Sequence, residues 1–130
     1  MAAVAAAAVS EFPILVVEDD PSLRRLYRSM LREAGYAVID VEDGVAALRA
    51  LEMTRPAAVV LDLALPRLSG RDVHREMQSH RETRGIPIII VSGTDTSDLR
   101  EADFASILRK PLNADHLIAA VDRCVRHLRT

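Results

Sequence analysis

The chain has one cysteine, Cys124. A lone cysteine forms neither an intramolecular disulfide nor a metal–thiolate cluster. Its place on the apolar face of a predicted helix makes it a small core residue rather than a reactive thiol, and a reducing, cytoplasmic setting fits. Charge of one sign is not in excess either. With 17 basic and 19 acidic residues the net charge is −2, which gives no general reason to expect a nucleic-acid partner. Long hydrophobic runs are also missing. The alanine-rich residues 1–10 fall far short of the ~20 apolar residues that span a bilayer, and no lysine or arginine precedes them as in a secretory leader. No membrane association is expected. An isolated helix under ~12 residues is marginal in water, so residues 1–11 are read as a disordered extension and residues 12–130 as the folded domain. No linker divides that domain; a single-domain form is expected, with any effector a separate molecule or a part of a longer chain outside this sequence.

What is present is an alternation of short apolar runs and amphipathic stretches. Ala57-Ala58-Val59-Val60-Leu61 leads directly into Asp62, and Pro66 follows. Such a continuous run predicts a strand buried on both faces, as in a parallel sheet. Ile14-Leu15-Val16-Val17 ends in Glu18-Asp19-Asp20, and Pro21 behind an aspartate cap starts a helix. Leu23, Leu26, Tyr27, Met30, Leu31 and Ala34 recur at helical spacing until Gly35. Residues 36–39 form a weaker strand, and Val45, Leu48 and Leu51 mark a short helix before Pro56. Val73 and Met77 mark a third helix. Residues 86–91 predict a strand entering Ser92-Gly93-Thr94, and residues 105–108 one entering Arg109-Lys110-Pro111. The last helix is capped by Asn113 and buries Leu117, Val121, Cys124, Val125 and Leu128. Five strand–helix alternations predict an α/β domain with a parallel sheet covered on both faces.

In such sheets the carboxyl ends of the strands share one edge, where chemistry collects. Glu18 and Asp19, Asp62, Ser92 and Lys110 all fall there, whereas Asp40 ends the second strand at the sheet's periphery. Crowded carboxylates repel and call for a cation. With no histidine or cysteine among these ends, a hard, oxygen-seeking ion such as Mg²⁺ fits. The combination suits phosphoryl transfer onto Asp62 as nucleophile. Mg²⁺ and Lys110 neutralise the transferring oxygens, and the Ser92 hydroxyl donates to another. Gly93 lets the backbone come close to the phosphoryl group. Asp20 and Asp43 read as helix caps.

Leu15-Val16-Val17-Glu18-Asp19-Asp20-Pro21, Val60-Leu61-Asp62-Leu63-Ala64-Leu65-Pro66, Gly70, Val91-Ser92-Gly93 and Lys110-Pro111 resemble the receiver domain of two-component response regulators. The likeness covers every element in order. It implies a three-layer, doubly wound, flavodoxin-like fold with strand order 2-1-3-4-5. It further implies that Asp62 is the phosphoacceptor, Glu18 and Asp19 the acidic pair, and Ser92 and Lys110 the signalling pair. Mg²⁺ would be held by Asp19, Asp62 and the backbone carbonyl of Ala64, with Glu18 acting mainly through water. The donor would be a phosphohistidine on a histidine kinase or histidine phosphotransfer protein, and the output an altered contact with a downstream protein. The implied state is a monomer or a phosphorylation-dependent dimer, catalysing only its own phosphorylation and dephosphorylation.

Two departures stand out. Receivers usually carry an aromatic residue three places before the lysine, which swings inward on activation; this chain has Ile107 there, and Phe104 has the wrong spacing. From Ser92 to Lys110 the chain is also shorter than the family norm by about four residues, close to one helical turn. The crossover helix between the fourth and fifth strands should be short or distorted, since Asp95, Thr96, Ser97 and Asp98 favour caps and turns. This chain is not expected to use the common output face of the family it resembles. Arg24, Arg25, Arg28 and Arg32 read as a mostly solvated face of the first helix. His74, His80, His116 and His127 read as helix-surface or partly packed residues, and residues 71–76 as an uninformative mixed-charge stretch.

Other functions compete. A phosphate shuttle in a relay needs the pocket but less of a conformational switch. An aspartate-nucleophile phosphatase commonly needs a second acid two places after the nucleophile, where this chain has Ala64. A phosphorylation-independent binding module would leave the acidic pocket unexplained.

Overall fold

The computed structural model describes residues 12–126; the extension read at residues 1–11, and His127 and Leu128, lie outside them. In chain order the elements are β1 (Ile14–Val17), α1 (Pro21–Glu33), β2 (Val38–Val41), α2 (Gly44–Met53), β3 (Ala58–Asp62), α3 (Gly70–Gln78), β4 (Ile88–Ser92), β5 (Ser106–Arg109) and α4 (Ala114–Arg126), with one 3₁₀ turn at Glu101–Asp103 before β5. All neighbouring strands are parallel and their order is β2-β1-β3-β4-β5. This is the doubly wound, flavodoxin-like sheet expected from the alternation.

Because successive strand residues point to opposite faces, the apolar runs feed two cores. Ile14, Val16, Val60 and Ile89 pack with Tyr27 and Leu31 of α1 and Leu117, Val121 and Cys124 of α4. Leu15, Leu61 and Ile90 pack with Ala47 and Leu51 of α2 and Val73 and Met77 of α3. β1, β3 and β4 are buried throughout, as strands covered on both sides must be.

The helix starts follow the sequence. Asp20 caps α1, its carboxylate accepting from the Ser22 and Leu23 amides at 2.8 and 3.2 Å. Asp43 caps α2 through the Ala46 amide at 2.7 Å, and Asn113 accepts from the His116 amide at 3.2 Å. Gly35, with φ of 101°, turns the chain out of α1 in the left-handed region that glycine tolerates.

Several local readings shift. The second strand starts at Val38 rather than Tyr36, whose hydroxyl donates instead to Asp122 of α4. Leu26 is 47% exposed, because buried Tyr27 and Leu31, flanked by partly buried Leu23 and Met30, form the stripe α1 turns inward. Arg24 and Arg28 are not a solvated face. Both lie against Asp40, at 3.3 and 3.2 Å, and neutralise the carboxylate at the end of β2. His80 sits just beyond α3, beside Glu76.

Candidate functional site

Parallel pairing brings the ends of β1, β3, β4 and the residue after β5 to one edge. Glu18 follows β1 and is 1% exposed; Asp62 closes β3 and is 4% exposed. Asp19 is exposed beside them. The three carboxylates each offer an oxygen within 4.8 Å of the others. Lys110 reaches in from the opposite side, with Nζ 2.7 Å from Glu18 Oε1 and 3.0 Å from Asp62 Oδ2. Its own amide donates to the Ser92 carbonyl at 2.9 Å, and the Lys110–Pro111 peptide is cis.

The second oxygens are held as well. Asp62 Oδ1 accepts from the Ala64 amide at 3.1 Å, and Glu18 Oε2 from the Asp20 amide at 3.1 Å. Arg24 Nη1 donates to the Glu18 carbonyl at 2.9 Å, tying α1 to the pocket floor.

Electrostatics follow from this crowding. Burial raises the Glu18 carboxyl from 4.5 to about 7, against the lowering pull of Lys110 and the Asp20 amide; the nearby Asp62 charge adds to the rise. Burial alone would lower the Lys110 ammonium, but its hydrogen bonds to Glu18 and Asp62 outweigh that and hold it above its ordinary value. One ammonium facing three carboxylates leaves the pocket negative. An oxygen-only donor set of this kind, open to solvent at Asp19, fits a hard divalent ion such as Mg²⁺.

Ser92 is buried at the end of β4, but its hydroxyl is turned onto its own loop. It lies 2.9 Å from the Thr94 hydroxyl and 3.3 Å from the Thr94 carbonyl, and accepts from the Thr94 amide at 3.0 Å. Gly93 leaves room: a Cβ there would meet Lys110 only at 3.8 Å. Ile107 packs into the α2/α3 core with Phe104. Phe104 in turn stacks on His74, ring centroids 4.6 Å apart.

Two features go beyond the reading of residues 71–76 as an uninformative mixed-charge stretch. Ser69 and Asp72 form a reciprocal capping box at the start of α3, a Ser-x-x-acid signal legible in the sequence. Between them Gly70 lies against the end of β3. A Cβ at 70 would stand 2.3 Å from the Asp62 carbonyl oxygen, and the Gly70 amide donates to the Leu63 carbonyl at 3.0 Å. The strand end carrying Asp62 is thus braced by α3. A cavity of about 500 Å³ lies at the far ends of α2 and α3, lined by Leu48, Met53, Met77 and His80 among others, and by none of the acidic-pocket residues.

Comparison with known proteins places the chain in a family. Residues 14–122 match the family model of the response regulator receiver domain, and the chain belongs to that family. The DNA-binding response regulator MtrA of Mycolicibacterium smegmatis (strain ATCC 700084 / mc(2)155) is 38% identical over 112 residues, covering 83% of this chain and 48% of MtrA. The response regulator MprA of Mycobacterium sp. (strain KMS) is 36% identical over 117 residues, covering 87% of this chain and 50% of MprA. The chain therefore spans about half the length of these curated relatives. Among solved structures, the receiver domain of the Pseudomonas aeruginosa PAO1 sensor histidine kinase PA1611, with magnesium coordinated in its active-site cleft, superposes with a TM-score of 0.78 at 30% identity, covering 88% of this chain and 97% of that one. The receiver domain of a Syntrophus aciditrophicus signal transduction histidine kinase gives 0.79 at 26% identity, covering 89% and 91%. MtrA's name describes it as DNA-binding, which does not fit an expectation of no nucleic-acid partner if that is carried to a whole protein; the expectation is confined to the receiver residues. Among the described residues no helix is long and apolar enough to cross a membrane.

Proposed function

We propose that this receiver accepts a phosphoryl group on Asp62 from a phosphohistidine of a histidine kinase or phosphotransfer protein, and so changes its contacts with a downstream protein. The observation that carries this is Lys110 Nζ bridging Glu18 and Asp62 beside three converging carboxylates. An Asp62 oxygen attacks phosphorus as the bond to the imidazole nitrogen breaks. The electron pair leaves with the imidazole, and the product is an acyl phosphate. Asp19, Asp62 and the Ala64 carbonyl would hold Mg²⁺, with Glu18 acting through water, and the ion would supply positive charge for the transferring oxygens.

The chain's own residues do the rest. Lys110 is already desolvated against Asp62 and can follow the negative charge onto the phosphoryl oxygens without crossing the pocket. Ser92 donates to another oxygen once its hydroxyl leaves Thr94. The Ala64 amide and the Gly70 brace keep the Asp62 carboxylate in one orientation. The domain acts on itself alone, in the cytoplasm. Onward transfer to another histidine is a second reading, favoured by Ile107 at the position of the usual switch aromatic. Intact-mass measurement after incubation with a small acyl-phosphate donor and Mg²⁺ tests the proposal. One phosphoryl adduct is expected, absent in Asp62→Asn; an adduct that persists in that variant refutes the assignment.

A further inference from the structure

Between β4 and β5 the described chain contains no α-helix, and residues 94–104 run as a strap beside α3. The strap is fastened to α3 at two points one turn apart. Arg71 grips Asp98 bidentately, Nε to Oδ2 at 2.8 Å and Nη2 to Oδ1 at 2.6 Å, and Nη2 also donates to the Asp95 carbonyl at 3.2 Å. Further along, Phe104 stacks on His74. Leu99 of the strap and Ile107 of β5 are partly buried against the core. Arg71 directly follows Gly70, the residue wedged against the Asp62 carbonyl.

We propose that Arg71 is a latch that holds this strap, and that phosphorylation of Asp62 opens it, in place of the relay that Ile107 cannot perform. The inference rests on the reading of Asp62 as phosphoacceptor. A hydroxyl donates only one proton, so Ser92 cannot donate to a phosphoryl oxygen and to the Thr94 carbonyl at once. Moving it breaks the cluster that fixes Thr94. Asp95, whose carbonyl Arg71 holds, is the next residue. Arg71 cannot follow the loop, because Gly70 and the Ser69–Asp72 capping box pin its helix end to β3. The strap therefore has two discrete states, latched and released, and the Ser92 hydroxyl biases them.

Hydrogen exchange at the Leu99, Asp103 and Phe104 amides reads the latch, since these are bonded to Thr96, Arg100 and Glu101 within the strap. In unphosphorylated Arg71→Ala and Asp98→Ala, exchange there should quicken about two- to fivefold, the range of one exposed bidentate pair. Rates unchanged in both variants overturn the latch. In wild type held with excess acyl phosphate and Mg²⁺, the same amides should quicken, while Arg71→Ala, already open, changes little further. Intact mass on the same samples separates the two readings. An adduct without faster strap exchange overturns the coupling alone; no adduct overturns the phosphoacceptor reading and the coupling with it, while the variants still judge the latch.

Discussion

One face of the sheet is covered by α1 and α4, two helices of thirteen residues each; the other by α2 and α3, of ten and nine, with a strap of irregular chain beside them. The first face meets the sheet through fully buried Leu31, Leu117 and Val121. The second has its own buried Ala47, Val73 and Met77, but beside them the strap closes over half-buried Leu99, Phe104 and Ile107. Local opening free energy scales with such buried contacts. The difference teaches how one small domain can hold a charged pocket rigidly and still respond. The acidic ends of β1 and β3 stand on the firm core, and the segment free to change hangs from Ser92.

The contrast can be broken at its joint, in its packing and by pH. The largest effect is expected at Gly70, where the looser face is braced on β3. Gly70→Val drives side-chain atoms into the Asp62 carbonyl and should cost about 3 kcal/mol or more in urea unfolding; Gly93→Ala, with only 3.8 Å contacts, should stay within about 0.5 kcal/mol. Next comes packing. Leu117→Ala should lose about 2–5 kcal/mol, and half-buried Phe104→Ala about 1–2 kcal/mol. Equal losses would erase the distinction between the faces.

The smallest effect, and the finest test, is pH. Glu18 is raised by burial from 4.5 to about 7, so its contribution is fully present below pH 4.5 and is lost as pH climbs through about 7. His74 is pushed below its ordinary 6.5 by burial, with Asp103 opposing. The folded state then disfavours its protonation, and stability falls as pH drops below 6.5. The two slopes have opposite sign. Unfolding midpoints in metal-free buffer should lose their decline toward pH 7 in Glu18→Gln, and their acid-side decline in His74→Gln. A slope unmoved by either substitution would contradict the burial assigned to that group.

The acidic pocket was legible because parallel strands put their ends on one edge, so placing Glu18, Asp62 and Lys110 needed only the order of apolar runs. A short or distorted crossover helix was legible too, from the short spacing and the turn-forming Asp95, Thr96, Ser97 and Asp98; its complete replacement by irregular chain and one 3₁₀ turn was not. Side-chain direction was not. Nothing in the sequence says that the Ser92 hydroxyl faces Thr94, or that Arg24 and Arg28 fold down on Asp40, because these depend on rotamers chosen by distant neighbours. Helical periodicity admitted Leu26 to the core stripe, although Tyr27 and Leu31 fill it. Arg71 looked like one charge in a mixed-charge stretch of six residues; its role depends on a loop more than twenty residues away.

The central claim is that Asp19 and Asp62 converge to bind a divalent cation beside Lys110. Calorimetric titration of Mg²⁺ into the unphosphorylated protein tests it most directly. One site is expected, weakened about tenfold or more in Asp19→Asn and in Asp62→Asn, as loss of one anionic ligand requires. Binding that is the same in wild type and both variants would place the ion elsewhere and contradict the account.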